Sequence, residues 1–183
     1  MKSEWRNIPY DQKDLLISLP YKLGIWIGHY DEQGDVKADE KERAALSEII
    51  EYLAEDSTST SFVTELFRDA LNSREDWADW PCNEQQVLED SKKGMKIVKD
   101  NVSDKDATAF REALLTVCEV VAQAYGEFGG LEDDESSSKW FGAVRNAIEK
   151  LKGHSYVNME RPFNISPAEQ EAISTLKTQL ESV

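Results

Sequence analysis

Two stretches of the chain concentrate carboxylate side chains around glycines, one at residues 31–40 and the other at residues 127–135. Carboxylate oxygens are the ligands that hard divalent cations prefer in proteins. Carboxylates crowded into so short a segment also repel one another unless solvent or a cation relieves the repulsion. These residues therefore predict binding of a divalent cation (Ca, Mg, Mn or Zn), and their types do not decide which ion it is.

The two stretches are copies of one pattern, which is found by shifting the chain by 95 residues without gaps, so that residues 30–40 fall on residues 125–135. Five of the eleven positions are identical, namely the Tyr, the first Glu, a Gly and the final Asp-Glu pair. The apolar positions on both sides agree as well, which extends the repeat units to about 15–54 and 110–152. Each unit predicts a long apolar helix, an acidic loop that contains Gly, and an amphipathic helix that opens with Asp-Glu.

The acids that the repeat retains are the candidate metal ligands. They are Glu32, Asp39, Glu40, Glu127, Asp134 and Glu135, with Asp31 as a further candidate whose counterpart is Gly126. A purely structural interpretation competes with this one, because Gly often ends a helix and acids favour the positive end of the next helix dipole. That interpretation accounts for the glycines and the Asp-Glu pairs, but it does not readily explain the retained Glu32 and Glu127.

Other chemistry fits the residues less well. Residues 31–42 have the length of an EF-hand calcium loop, but Val36 stands where the sharp turn requires Gly. His29 could join Asp31 in a zinc site, yet the repeat has Ala124 in its place. The sequence contains no nucleophile elbow, phosphate loop or dinucleotide fingerprint. We therefore expect a protein that is not an enzyme and has no catalytic residues.

The elements that must position these acids are helices, because apolar residues recur with helical period almost end to end and no segment alternates as a strand does. Seven apolar stripes are found: Leu16, Leu19, Leu23, Ile27 and Tyr30; Leu46, Ile49, Ile50 and Leu53; Phe62, Val63, Leu66, Phe67 and Ala70; Leu88, Met95, Val98 and Val102; Phe110, Leu114, Val117, Val121 and Tyr125; Phe141, Val144, Ile148 and Leu151; Ile173, Leu176 and Leu180.

The pattern predicts an all-α bundle of about seven helices, with the repeat units related by a pseudo-two-fold axis. Residues 1–183 form a single domain in this interpretation, and residues 1–10 are expected to be flexible. Pro20 is expected to kink the first helix or to begin a new one. Ser103 precedes a strongly apolar segment as an N-terminal cap, and Ser166-Pro167-Ala168-Glu169 has the composition of a capping box.

Composition narrows the range of partners. Lys and Arg total 21 against 36 Asp and Glu, so the 183-residue chain carries a formal charge of -15 and would be repelled by nucleic acid. The longest apolar run, residues 15–28, is shorter than the roughly 20 residues that cross a bilayer. The N-terminal residues do not resemble a secretory signal, and Cys82 and Cys118 are isolated thiols, although their pairing stays open. We expect a cytoplasmic protein without a transmembrane segment.

In its two repeat units the chain resembles the TerB-like family of small acidic helical proteins, named for tellurite resistance. The matching stretches are residues 24–31 with Asp39-Glu40 and residues 120–125 with Asp134-Glu135. With their helices they cover about 80 residues, counted from the two repeat units. The resemblance implies an all-α bundle, a role in metal or chemical stress, and divalent-cation sites in the acidic loops.

Departures from the family pattern leave a second function open. The family's Asp-Gly pair corresponds here to Glu32-Gln33-Gly34 and to Glu127-Phe128-Gly129, and both loops run longer before their Asp-Glu pair. The alternative is a protein–protein interaction module without a metal site, in which the acidic surface recruits an unidentified protein partner. The sequence does not determine the oligomeric state.

Overall fold

The computed structural model describes residues 3–30, 40–56, 58–128 and 165–183. These residues contain six α-helices and no strand: α1 Tyr10–Gly28, α2 Glu40–Glu55, α3 Ser61–Asn72, α4 Glu84–Asn101, α5 Asp104–Phe128 and α6 Pro167–Glu181. Two short 3₁₀ helices span Glu4–Asn7 and Trp77–Asp79. The all-α prediction is confirmed. The seventh predicted helix, at residues 141–151, lies outside the described residues, and so does most of the second repeat unit after Phe128.

α1 and α5 are the two central helices. Residues 18–27 of α1 are all buried, and so are residues 113–123 of α5 except the partly buried Glu119. A helix that is buried all round must be covered on every side by other helices. α1 packs against α2, α3, α4, α5 and α6, and α5 packs against the same four outer helices. The stripe pattern alone predicts only one buried face for each of these helices.

α4 runs antiparallel to α1. Gly94 of α4 lies against Leu16 and Leu19, and a Cβ atom at Gly94 would come within 2.6 Å of Leu19 Cδ1. Earlier in α4, Asp90 contacts Lys22, which comes later in α1, through a 2.9 Å ion pair. The order of these contacts fixes the opposite directions of the two helices, and the missing side chain at Gly94 permits their close approach.

α5 runs parallel to α1, since it follows α4 after the short connection at residues 102–103 and reverses direction there. The segment before α1 meets this connection: the Asn7 Nδ2 amide donates to the Asn101 carbonyl at 3.4 Å. The Ser103 backbone N–H donates to Glu4 Oε2 at 2.6 Å. The starts of α1 and α5 therefore lie at one end of the bundle, and the two helices end toward the other.

The apolar stripes predicted for α2 and α3 are confirmed, and those for α4 and α6 are confirmed in part, since Leu88, Val102 and Ile173 are only partly buried. All members of the α2 and α3 stripes are buried, as are Met95 and Val98 of α4 and Leu176 and Leu180 of α6. α1 continues through Pro20, so this proline does not begin a new helix. None of the helices in the described part of the chain is both long and apolar enough to cross a membrane.

The predicted N-terminal caps also form. Ser166 Oγ accepts from the Glu169 backbone N–H, and the Glu169 carboxylate accepts from the Ser166 N–H at 2.8 Å, with Pro167 in the first turn. Ser103 Oγ accepts from the Asp106 N–H at 3.3 Å. Both caps satisfy backbone donors that the first helical turn leaves without partners.

The segment before α1 contacts the bundle through buried side chains, while the flexibility expected for residues 1–10 stays a prediction. Trp5 and Ile8 are buried, and Trp5 Nε1 donates to Asp69 Oδ2 at 2.8 Å. The Trp5 ring also meets Phe62 edge-to-face, with 5.8 Å between centroids. Burial of the large apolar Trp5 ring binds this segment to α3, although the residues next to Trp5 in the sequence are polar.

Candidate functional site

The structure places two of the predicted metal ligands and leaves the others untested. Glu40 is the first residue of α2, and Glu127 is the residue before the end of α5. The other candidates, Asp31, Glu32, Asp39, Asp134 and Glu135, lie outside the described residues. α2 begins at the Glu of the predicted Asp-Glu pair, while Asp39 lies outside the described residues.

Glu127 lies in the last turn of a helix, whereas the repeat predicts a loop at this position. α1 ends at Gly28, whose counterpart under the 95-residue shift is Gln123, but α5 continues five residues further to Phe128. Gly126 does not stop α5, and a Gly inside a helix costs only about 1 kcal/mol relative to Ala. The two repeat units therefore differ in where their first helix ends.

The two acidic segments begin at the same end of the bundle, because α1 and α5 run parallel. Each helix ends there with a partial negative charge of roughly half an elementary charge. The last turn of each contains no Lys or Arg. We call this end of the bundle the acidic end. The two helix C-termini add negative potential there, next to Tyr30 and Phe128, after which the two acidic segments continue in the sequence.

The described residues at the acidic end are aromatic as well as polar. Trp26 is buried in the last turns of α1, and its ring meets Tyr30 edge-to-face at 5.6 Å. His29 follows α1 as its C-cap residue. Within the described ranges, no three His, Cys, Asp or Glu side chains form a group that could hold a metal ion.

A buried acid that sequence reasoning missed lies on α5. Glu119 Oε2 is buried and has no hydrogen-bond partner among the described residues. Burial raises the pKa of this carboxyl to about 7, although the positive charge of Lys177 on α6 opposes the increase. The available signal was one Glu inside the apolar run from Leu114 to Ala122.

Cys82 and Cys118 are not joined in a disulfide, and both are buried. Burial, with the neighbouring negative charge of Glu119, raises the pKa of the Cys118 thiol far above its ordinary value. A thiol in this environment stays protonated, and protonated thiols are poor nucleophiles. Cys118 thus serves as a small core side chain.

A second buried charge that the sequence did not reveal is Lys22 on α1. Its side chain is 8% exposed and pairs with Asp90, whose side chain is 18% exposed. The pair joins α1 to α4 across 68 residues of sequence. It connects two helices in the body of the bundle and includes none of the candidate metal ligands.

Comparison of the chain with protein-family models, with curated proteins and with solved structures finds no match. The resemblance to the TerB-like family therefore stays a prediction from the residues quoted above.

Proposed function

We propose that this is a cytoplasmic, TerB-like helical protein without enzymatic activity, which binds or senses a divalent cation during chemical stress. The ligands would come from residues 31–40 and 127–135. The observation that supports the proposal is the parallel packing of α1 and α5, from which both acidic segments continue at one end of the bundle. The two helix C-termini at that end carry partial negative charge, which would favour a cation there.

A cation at the acidic end would act by relieving repulsion. Like charges held close together raise the free energy of the folded state, and a divalent ion replaces that repulsion with attraction. Glu127 in the last turn of α5 contributes to the cost, since an acid at a helix C-terminus is unfavourable by about 0.3 to 1 kcal/mol. Binding would therefore stabilise the folded chain and tighten the ends of α1 and α5.

The test is thermal unfolding of the full chain after chelation, with Ca²⁺, Mg²⁺, Mn²⁺ and Zn²⁺ added back one at a time. A bound ion should stabilise the fold by about 2.7 kcal/mol at a hundredfold excess over its dissociation constant. The double variant Glu32→Gln/Glu127→Gln should lose this response. The matched control Glu75→Gln/Glu181→Gln removes two exposed acids elsewhere and should keep it.

Two outcomes would contradict the proposal. Absence of a shift with every ion at millimolar concentration would favour the alternative, an interaction module in which the acids only cap helices. A shift of equal size in the Glu32→Gln/Glu127→Gln variant would show that the ion binds elsewhere on the protein.

A further inference from the structure

A groove on α4 differs in charge from the rest of the molecule. It is lined by Glu89, Lys92, Lys93, Lys96, Lys99, Asp100 and Val183, and its volume is about 590 Å³. We call it the basic groove. All four lysines are exposed, and Lys99 Nζ donates to the Val183 carbonyl, which joins the groove to the residues that follow α6.

The lysines are concentrated against the composition of the chain. Residues 92–99 contain four Lys and no acid, although acids outnumber bases by 36 to 21 overall. Lys92 and Lys96 lie four positions apart on the helix, and Lys96 and Lys99 lie three apart, so neighbouring ammonium groups repel one another. The ion pair that α4 does form in the described part of the chain, Lys22–Asp90, involves none of these four. An anionic partner would relieve this repulsion.

The ends of the basic groove limit the length of that partner. Glu89 precedes the lysines and Asp100 follows them on the same helix, so a long polyanion would meet a carboxylate at either end. The distance along α4 between these two residues is about 16 Å, from a rise of 1.5 Å per residue. This length matches an anionic segment of about eleven helical or five extended residues. A continuous phosphate backbone or an anionic membrane surface would extend past both carboxylates.

The floor of the basic groove favours a segment with apolar residues as well as acids. Lysine stems are aliphatic and cover apolar surface while their ammonium groups stay in water. The partly buried Val183 adds apolar surface at one end. A peptide with acids on one side and a few aliphatic residues on the other would pair with both features.

We propose that the basic groove is a docking site for a short acidic, amphipathic peptide segment of another protein. The site includes none of the acidic candidate ligands. It lies toward the end of the bundle where α1 begins, since Asn101 at the end of α4 contacts Asn7. It is therefore independent of the proposed cation site at the acidic end.

The experiment measures fluorescence anisotropy of a dye-labelled eleven-residue helical peptide, of the length estimated above, that carries Glu on one face and Leu on the other. The wild-type chain should bind it, and added salt should weaken binding because the charged groups are exposed. Lys93→Glu/Lys96→Glu should weaken binding at least about tenfold, since it places two acids opposite those of the peptide. The matched control Arg68→Glu/Lys105→Glu changes net charge equally at exposed positions on α3 and α5 and should bind within about twofold of wild type.

A milder variant and a folding check test whether the lysines themselves account for binding. The milder Lys93→Gln/Lys96→Gln variant should bind with intermediate affinity, and circular dichroism should show that each variant keeps its helix content. An equal loss in the control pair would overturn the proposal, because general charge attraction would then explain binding. The proposal would also be wrong if the peptide did not bind while phosphatidylserine vesicles, duplex RNA or a second copy of the chain did so through the same lysines.

Discussion

The two central helices bury their charged side chains in different ways. α1 buries Lys22, which is paired with Asp90 at 2.9 Å. α5 buries most of Glu119, whose Oε2 atom has no hydrogen-bond partner within the described residues. A buried charge must be paired or must become neutral. In α1 the buried charge is paired. In α5 the raised pKa of Glu119 indicates that this carboxyl becomes neutral near neutral pH.

The repeat relates these helices position by position, but it does not conserve the buried charges. Under the 95-residue shift Lys22 falls on the fully buried Val117, and Glu119 falls on Gly24. At Gly24, α2 approaches so closely that a Cβ atom would lie 2.2 Å from Leu46 Cδ2. The buried charges are thus not repeated between the two helices, and each belongs to the neighbours of its own helix.

Breaking the ion pair of α1 should have the largest effect. Asp90→Ala leaves the Lys22 ammonium buried without its partner, which should lower the free energy of unfolding by about 3 kcal/mol. The double variant Lys22→Met/Asp90→Leu should recover most of this loss, because a buried pair can be replaced by apolar side chains at little cost. Urea unfolding at pH 7 measures both. The exposed Lys96→Met on the same helix is the control and should change stability by less than about 0.5 kcal/mol.

The pair has no stabilising role if Asp90→Ala unfolds like wild type, or if the double variant is no more stable than the single one. The second result would show that packing at residue 90, rather than the charge left behind on Lys22, accounts for the loss.

Glu119 should make stability depend on pH in the opposite sense to an ordinary paired acid. Its pKa is about 7 in the folded chain, against an ordinary value of 4.5 for a glutamate side chain. Above pH 7 the carboxyl is charged in both states, so the folded state carries the full cost of burial. As the pH falls from 7 toward 4.5, the folded state takes up the proton first, and stability rises.

Glu119→Gln should therefore stabilise the protein at pH 8 by about 2 kcal/mol, with the partial exposure of the side chain limiting the gain. Most of the gain should disappear near pH 5, where the folded wild-type carboxyl is already neutral. Chemical unfolding at the two pH values measures the difference. An equal gain at both would mean that the amide improves packing or hydrogen bonding, and that the charge of Glu119 costs nothing.

The contrast between the central helices also shows what a sequence can predict. The α2 and α3 stripes and the Ser166 capping box follow from residues three or four positions apart, so local spacing was sufficient to predict them. The Lys22–Asp90 pair and the packing of Trp5 on α3 join residues more than 60 positions apart. The apolar periodicity of the sequence does not predict such contacts, because they depend on how the helices are arranged.

The candidate site likewise has features that local sequence predicts and features that it does not. The start of α2 at Glu40 was predictable, because acids favour the first turn of a helix. The parallel course of α1 and α5 was not, since it depends on the direction of α4 between them. The extension of α5 to Phe128 was also missed, because Gly126 and Glu127 are both unfavourable near the end of a helix.

The smallest effect is expected where α5 and α6 begin, at the N-cap residues Ser103 and Ser166. Ser166 receives its carboxylate from Glu169 in the same helix, whereas Ser103 receives one from Glu4, which lies 99 residues away. The hydrogen bond from the Ser103 N–H holds the pKa of Glu4 below its ordinary value. The stabilisation is therefore present above the unfolded pKa and is lost as the pH falls through the lowered folded value.

Glu4→Ala should increase hydrogen exchange at the Ser103 amide several-fold and loosen residues 3–8, because the N-terminal segment loses one of its contacts with the start of α5. Glu169→Ala should affect only the first turn of α6, since its carboxylate binds within its own helix. Acidification should lower the protection factor of the Ser103 amide in the wild type, after correction for the pH dependence of the intrinsic exchange rate, and should leave the protection factor unchanged in Glu4→Ala. If both proteins respond equally to acid, a different carboxylate controls this end of the bundle, and the long-range cap contributes nothing.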